Sequence, residues 1–147
     1  MSDDPRSIAQ AVGAAVGEGD LLAQALGITL AEIRPGYARA VMAVRPDMSN
    51  AAGICHGGAT FALADTAFAF ACNSHNTLTL AQLCAITYLC AAHLGDTLTA
   101  VAEEVSLAGR SGVYDITVTN QDGARVALFR GHSRQIKGRA VTGDPIR

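Results

Sequence analysis

The chain has 147 residues, half of them hydrophobic and 16% charged, with a net charge of -2 and a pI near 6.0. That length fits one globular domain with a sizeable core, and residues 1–147 are read as one. The charge balance gives no basic footprint for nucleic acid or an anionic membrane, and the apolar excess implies surface hidden between subunits as well as inside the monomer.

The opening residues, MSDDPRS, are acidic and lack the basic-then-apolar order of a secretory signal. The longest apolar run is interrupted by Asp65 and is too short to span a bilayer, so a cytoplasmic protein is expected. Residues 6–26 carry Ile8, Val12, Ala15 and Val16 at helical spacing, with Asp20 as a cap for a further turn, LLAQAL; the helix is broken near Gly17-Glu18-Gly19. The stretch GITLAEIRPGYARAVMAVRP predicts two strands turning around Pro35-Gly36.

Residues 47–56 hold the Ser, Asn and Gly of a loop, and an alanine-rich helix is expected from Gly57 to about Asn76. This helix has no charged face, which predicts burial on every side. LTLAQLCAITYLC, TLTAVAEEVSL, SGVYDITVTN and ARVALFRGHSRQI then predict four consecutive antiparallel strands. The tail from about residue 137 to 147 is polar, contains Gly and Pro and lacks periodicity, so disorder is expected there. An N-terminal helix, two strands, one buried helix and four strands make an α+β domain: a curled antiparallel sheet wrapped around one long helix, the architecture called the hotdog fold.

Cys55, Cys72, Cys84 and Cys90 form no C-x-x-C pair and predict four reduced, mostly buried thiols. The four histidines are too scattered for a metal motif, and no zinc is expected.

One residue stands apart. Between Asp47 and Asp96, Asp65 is the only Asp, Glu, Lys or Arg. A carboxylate in apolar surroundings is costly unless partners or a task hold it there. A structural acid bonded to backbone would explain it, as would a general base or nucleophile. If the helix starts near Gly57, its first N–H groups lack intrahelical partners and lie at the positive end of the dipole, where they can stabilise an oxyanion. Glycine at 57 and 58 lets a substrate approach the backbone, although both could be simple turn residues. Asp65 lies eight residues on, about 12 Å along the axis. One helix therefore cannot bring both groups to one reacting centre unless the site is shared or the substrate lies along the helix.

CHGGATFALADTAFAFACNS, GDTLTA, GVYDI and VALFRGHS, with the fixed spacing from Asn50 to His56, Gly57, Gly58 and Asp65, resemble the PaaI-type acyl-coenzyme A thioesterases of phenylacetic acid degradation, a hotdog-fold family. The resemblance covers nearly the whole chain. It implies hydrolysis of an aryl-acetyl-coenzyme A, such as phenylacetyl- or hydroxyphenylacetyl-coenzyme A, or a similar short or medium acyl ester. Coenzyme A is part of the substrate, and no cofactor is implied. The resemblance also implies a homodimer in which the acid of one subunit faces the glycine amide of the other, within a homotetramer.

Asp65, Gly57, Asn50 and His56 are then the expected catalytic set. Asp65 acts as base or nucleophile, Asn50 helps hold water or carbonyl, and His56 braces the loop, a role hard to tell from ordinary capping. Gly58, Phe61, Phe68, Gln82, Arg110, Ser111, Gly112 and Arg130 are the expected substrate contacts. Phe61 and Phe68 share the Asp65 stripe, where core and acyl-pocket roles overlap; Arg110 and Arg130, with Arg134 and Lys137, are candidates for the coenzyme A phosphates. Cys55 beside His56 suggests a thiol nucleophile, but such pairs usually meet through the fold and not along the chain.

The chain departs from relatives in two places. Tyr88-Leu89-Cys90-Ala91-Ala92-His93 stands where they often carry F-L-R-P-G, and Glu18-Gly19-Asp20 stands where they often carry Asn between acids. Two other readings use the same fold. A hydratase or dehydratase would need a histidine placed for proton transfer, and its D-x-x-x-x-H pattern is missing. A non-catalytic acyl-coenzyme A sensor would have no need of the acid.

Overall fold

The computed structural model describes residues 4–141. Asp4 accepts from the Ser7 amide and Pro5 opens α1, Pro5–Gly19. Asp20 ends that helix and caps α2, Leu21–Ala25, by accepting from the Ala23 amide, so the break near Gly19 is a cap and not a flexible joint. A hairpin of β1 (Thr29–Arg34) and β2 (Tyr37–Ala43) follows, then a loop with a 3-10 turn at Pro46–Met48. The long helix α3 runs Gly57–Asn73; β3 (Thr79–Tyr88), β4 (Thr97–Ala108), β5 (Ser111–Thr119) and β6 (Arg125–Gln135) complete the chain.

The six strands form one antiparallel sheet in the order β1-β2-β4-β5-β6-β3. Its inner face wraps α3, which packs across β2, β3, β4, β5 and β6. Ala64, Ala67 and Ala71 bring the helix backbone close to the sheet, while Leu63, Phe68 and Phe70 fill the space beside it. Gly131 on β6 is part of that fit, because a Cβ there would sit 2.7 Å from the Phe68 ring. Burying side chains such as Leu63 and Phe68 contributes about 1.5–3 kcal/mol each.

Two expectations about topology are corrected. β3 pairs with β6 and not with β4, its successor in the chain. The run after Tyr88 reads like a strand end and tight turn, yet it crosses the end of α3: Leu89 N–H bonds Val126 O, and Cys55 N–H bonds Ala92 O. This puts β3 at the sheet edge. The helix, expected to be covered on every side, leaves Gly58 exposed and Phe61, Ala62, Asp65 and Ala69 half-buried. Beside them β3 is open on both faces, with Leu83 56% exposed. An apolar strand edge beside an uncovered helix stripe is a surface that soluble chains cover with another element.

The tail does not come loose at residue 137. Leu78 N–H bonds Gly138 O and Val141 N–H bonds Asn76 Oδ1, so the chain is fastened to that point; residues 142–147 of the expected disordered tail lie outside the described residues. Of the four free thiols, Cys55 and Cys72 are buried, Cys84 is half-buried and Cys90 is exposed, fewer buried than expected.

Candidate active site

His56 is the N-cap of α3, and its Nδ1 accepts from the Gly58 N–H over 2.8 Å. As an acceptor at Nδ1, the neutral ring carries its proton on Nε2. The bond also consumes the Gly58 amide, so the pair of oxyanion donors expected at 57 and 58 reduces to one. Gly57 N–H has no hydrogen-bond partner among the described residues. It opens on a cavity of about 300 Å³ lined in part by Asn50, Cys55, Thr60, Tyr88, Cys90 and Val126.

Asn50 closes its own loop. Its Oδ1 accepts from Ala52 N–H at 2.9 Å and Ile54 N–H at 3.3 Å, leaving only the NH₂ donors for a ligand. Asn50 faces the same cavity as Gly57.

Asp65 lies further along α3, outside that cavity. Burial, with the charge of Asp20 second, raises its pKa above the ordinary carboxylate value, while a hydrogen bond from Cys84 opposes the shift. The Cys84 thiol lies 3.9 Å from Oδ1. A half-buried carboxylate with one partner keeps most of its acceptor capacity unused, which suits a proton acceptor or nucleophile better than a structural acid.

Three contacts set β3 along the helix. Asn73 exchanges hydrogen bonds with the Thr79 backbone at one end, Cys84 meets Asp65 in the middle, and Tyr88 Oη donates to Gly57 O over 2.7 Å at the other. A Cβ on Gly57 would sit 3.0 Å from that hydroxyl, so a side chain at position 57 fits only if Tyr88 gives way. Tyr88 and Cys84 were not expected site residues. The register shift between Ala81 and Leu83, at Gln82, breaks the alternation of β3 and turns Cys84, Ile86 and Tyr88 toward the helix, a change that a period of two cannot reveal.

The remaining expected contacts scatter. Phe61 lies on the half-open stripe, its ring edge-on to Phe129 at 5.2 Å. Phe68 is core: 1% exposed between Tyr114 and Phe129, it has no surface for an acyl group. Gln82 is exposed at the bulge of the edge strand. Arg130 is engaged on the outer sheet face by a two-pronged ion pair with Asp115, Nε at 2.6 Å and Nη2 at 2.8 Å. Arg110 and Ser111 are exposed and Gly112 is buried, all where β5 begins opposite Ser133 and Arg134. Tyr88 faces Ala127 at the opposite end of the sheet. One chain therefore carries the expected site in three separated parts: the Gly57 cavity, Asp65 and the Arg110–Gly112 end. Among the described residues no group of acidic, histidine and cysteine side chains could hold a metal, and no helix is long and apolar enough to cross a membrane.

Comparison with known proteins gives one answer. The chain is 46% identical over 127 residues to acyl-coenzyme A thioesterase PaaI of Escherichia coli strain K12, covering 86% of this chain and 90% of that one. The solved structure of the E. coli PaaI protein from the phenylacetic acid degradation operon matches with a TM-score of 0.90 at 43% identity, covering 91% of this chain and 97% of that one. A single-residue variant of phenylacetic acid degradation protein PaaI from Thermus thermophilus matches with a TM-score of 0.77 at 35% identity, covering 80% and 100%. A hypothetical thioesterase protein from Streptococcus pneumoniae, solved with coenzyme A, matches with a TM-score of 0.73 at 27% identity, covering 76% and 87%. The thioesterase superfamily model matches residues 52–127, and with these relatives it establishes that this hotdog-fold chain belongs to the thioesterase superfamily.

Proposed function

We propose that this thioesterase hydrolyses acyl-coenzyme A, with aryl-acetyl esters such as phenylacetyl-coenzyme A the preferred class, and releases the free acid and coenzyme A. The observation that carries the reading is the Gly57 N–H at the start of α3, unpartnered among the described residues and beside a cavity on the helix that also carries the half-buried Asp65. At the tetrahedral stage the thioester oxygen becomes an anion, and the Gly57 amide with the helix dipole stabilises it there more than in the ground state. Asp65 supplies the other half of the chemistry, taking the proton from water or attacking the carbonyl itself. The relative named as an acyl-coenzyme A thioesterase, the solved structures named for phenylacetic acid degradation and the relative solved with coenzyme A support the substrate class.

The working unit in this reading is a dimer. The midpoint between Gly57 and Asp65 is Phe61, on the half-open stripe, so a two-fold axis near Phe61 would set Gly57 of one chain opposite Asp65 of the partner subunit. Antiparallel pairing of two β3 edges would also bring the Ser111 end of one sheet beside the Tyr88 end of the other. That arrangement unites all three parts of the site. On the outer face Leu80, Leu83 and Leu128 are exposed, and a second dimer packed there would cover them in a tetramer. Coenzyme A esters are soluble intracellular metabolites, and the reading carries a cytoplasmic location with it.

The test is a panel of acyl-coenzyme A esters, with thiol release and enoyl hydration followed in parallel. The reading expects thiol release, fastest with aryl-acetyl esters, from a protein that elutes as a dimer or tetramer. Hydration without thiol release would replace it with a hydratase, and binding without turnover would replace it with a sensor.

A further inference from the structure

We propose that Cys84 is a positioning residue for Asp65: its thiol, presented from the middle of β3, holds Oδ1 and leaves Oδ2 to meet water or the thioester. The proposal rests on the catalytic reading of Asp65. Its geometric basis is that β3 is fastened to α3 at both ends, through Asn73 with Thr79 and Tyr88 with Gly57, and the bulge at Gln82 turns Cys84 inward. Between those ties Cys84 Sγ lies 3.9 Å from Oδ1, the one hydrogen bond that reaches this carboxylate among the described residues.

The groups around the carboxylate fix the role of the thiol. Asp20, at the start of α2, opposes ionisation of Asp65 through its charge. Cys72, two turns along the same helix, is pushed up to about 12 chiefly by burial and stays a thiol. From β6 the strand face behind Cys84 presents Gly131 and Phe129, which do not titrate, while Arg130 pairs with Asp115 on the opposite face. Burial first, and the Asp65 charge second, raise the Cys84 pKa as well. Cys84 therefore stays S–H, a donor to the carboxylate and a poor nucleophile. Carboxylate and thiol stabilise each other in the charge state that catalysis needs: Asp65 ionised, Cys84 neutral.

The experiment measures kcat and KM against pH for the whole protein, as wild type and as Cys84→Ala, Cys84→Ser and Asp65→Asn. Losing the donor in Cys84→Ala should move the acid limb of the kcat profile up by about half a pH unit, a shift suited to one weak hydrogen bond. It should also lower kcat several-fold with KM unchanged. Cys84→Ser restores a donor and should return the limb to the wild-type position or below it. A folded Cys84→Ala protein with the wild-type limb and kcat would overturn the proposal, as would a loss that serine does not rescue. Should alanine fail to fold, Cys84→Val, closer in volume, makes the same measurement. Asp65→Asn separates the two claims: if it retains turnover, the catalytic reading and this proposal fall together, whereas an inactive Asp65→Asn beside an unaltered Cys84→Ala refutes the proposal alone.

Discussion

Tyr88 Oη donates to Gly57 O over 2.7 Å, and the same hydroxyl stands 3.0 Å from the point where any side chain on residue 57 would begin. The last residue of the edge strand thus clamps the first turn of the helix and disfavours a side chain at its start, where Tyr88 would have to give way by a few tenths of an ångström. Replacing Gly57 with alanine should displace the first turn together with its open N–H, and kcat should fall on the order of 10- to 100-fold. In a Tyr88→Ala background the same substitution has nothing to strike and should cost less than the sum of the two changes. Steady-state kinetics on the four proteins decide it; strict additivity would mean that the contact is idle.

Asp65 weakens the fold it serves. Burial raises its pKa in the native state above the ordinary value of 3.8, so the native state binds a proton more tightly than the unfolded chain does. Stability linked to this group is fully present below 3.8 and is lost as pH rises through the native pKa. Asp65→Asn, which never ionises, should therefore melt higher than the wild type at pH 7, and the difference should shrink as the pH falls toward 4. Melting curves across that range are the check. A lower melting temperature at pH 7 would show that Asp65 is held by stabilising partners, as a structural acid would be.

Phe68 belongs to the core and not to the acyl site. Truncating it to alanine opens a cavity beside Gly131 and should cost about 3–5 kcal/mol in urea unfolding. At temperatures where the variant stays folded, KM for the acyl ester should hold near the wild-type value. A KM that climbs steeply with little loss of stability would return Phe68 to the substrate pocket.

Charge at the two places where coenzyme A phosphates were expected differs in availability. Arg130 is bound by Asp115, whose carboxyl is held below the ordinary range chiefly by that hydrogen bond. Arg110 and Arg134 are exposed and form no salt bridge among the described residues. Arg130→Ala should leave KM unchanged, whereas Arg110→Ala or Arg134→Ala should raise it roughly three- to tenfold, as expected for loss of a partly screened phosphate contact. The opposite order would place the phosphates on the outer sheet face.

What the sequence made legible follows the range of the interactions involved. The α3 start at Gly57, the hairpin at Pro35-Gly36 and the extents of the last four strands are written in caps, turns and periodicity, all local signals, and the structure has them within a few residues. The pairing of β3 with β6 was not legible, because it depends on a crossover whose residues look like any strand end. The same holds for the site. Asp65 and Gly57 stand out through isolation and motif, whereas Cys84 and Tyr88 face them only because one bulge at Gln82 resets the strand. The loss of the Gly58 amide to His56 was invisible for another reason: it is a choice between two acceptors for one N–H, made in three dimensions.

In the proposed dimer a working site takes Gly57 from one chain and Asp65 from another. Complementation tests it most directly. Asp65→Asn and Gly57→Val proteins, each inactive alone and carrying different affinity tags, are unfolded together, refolded and purified through both tags to prove subunit exchange. A mixed dimer holds one site with both groups intact and one with neither, so doubly tagged dimers should recover about one half of wild-type activity per chain, and the unfractionated random mixture about one quarter. Doubly tagged dimers that remain as inactive as either parent would contradict the shared site and confine the chemistry to a single chain.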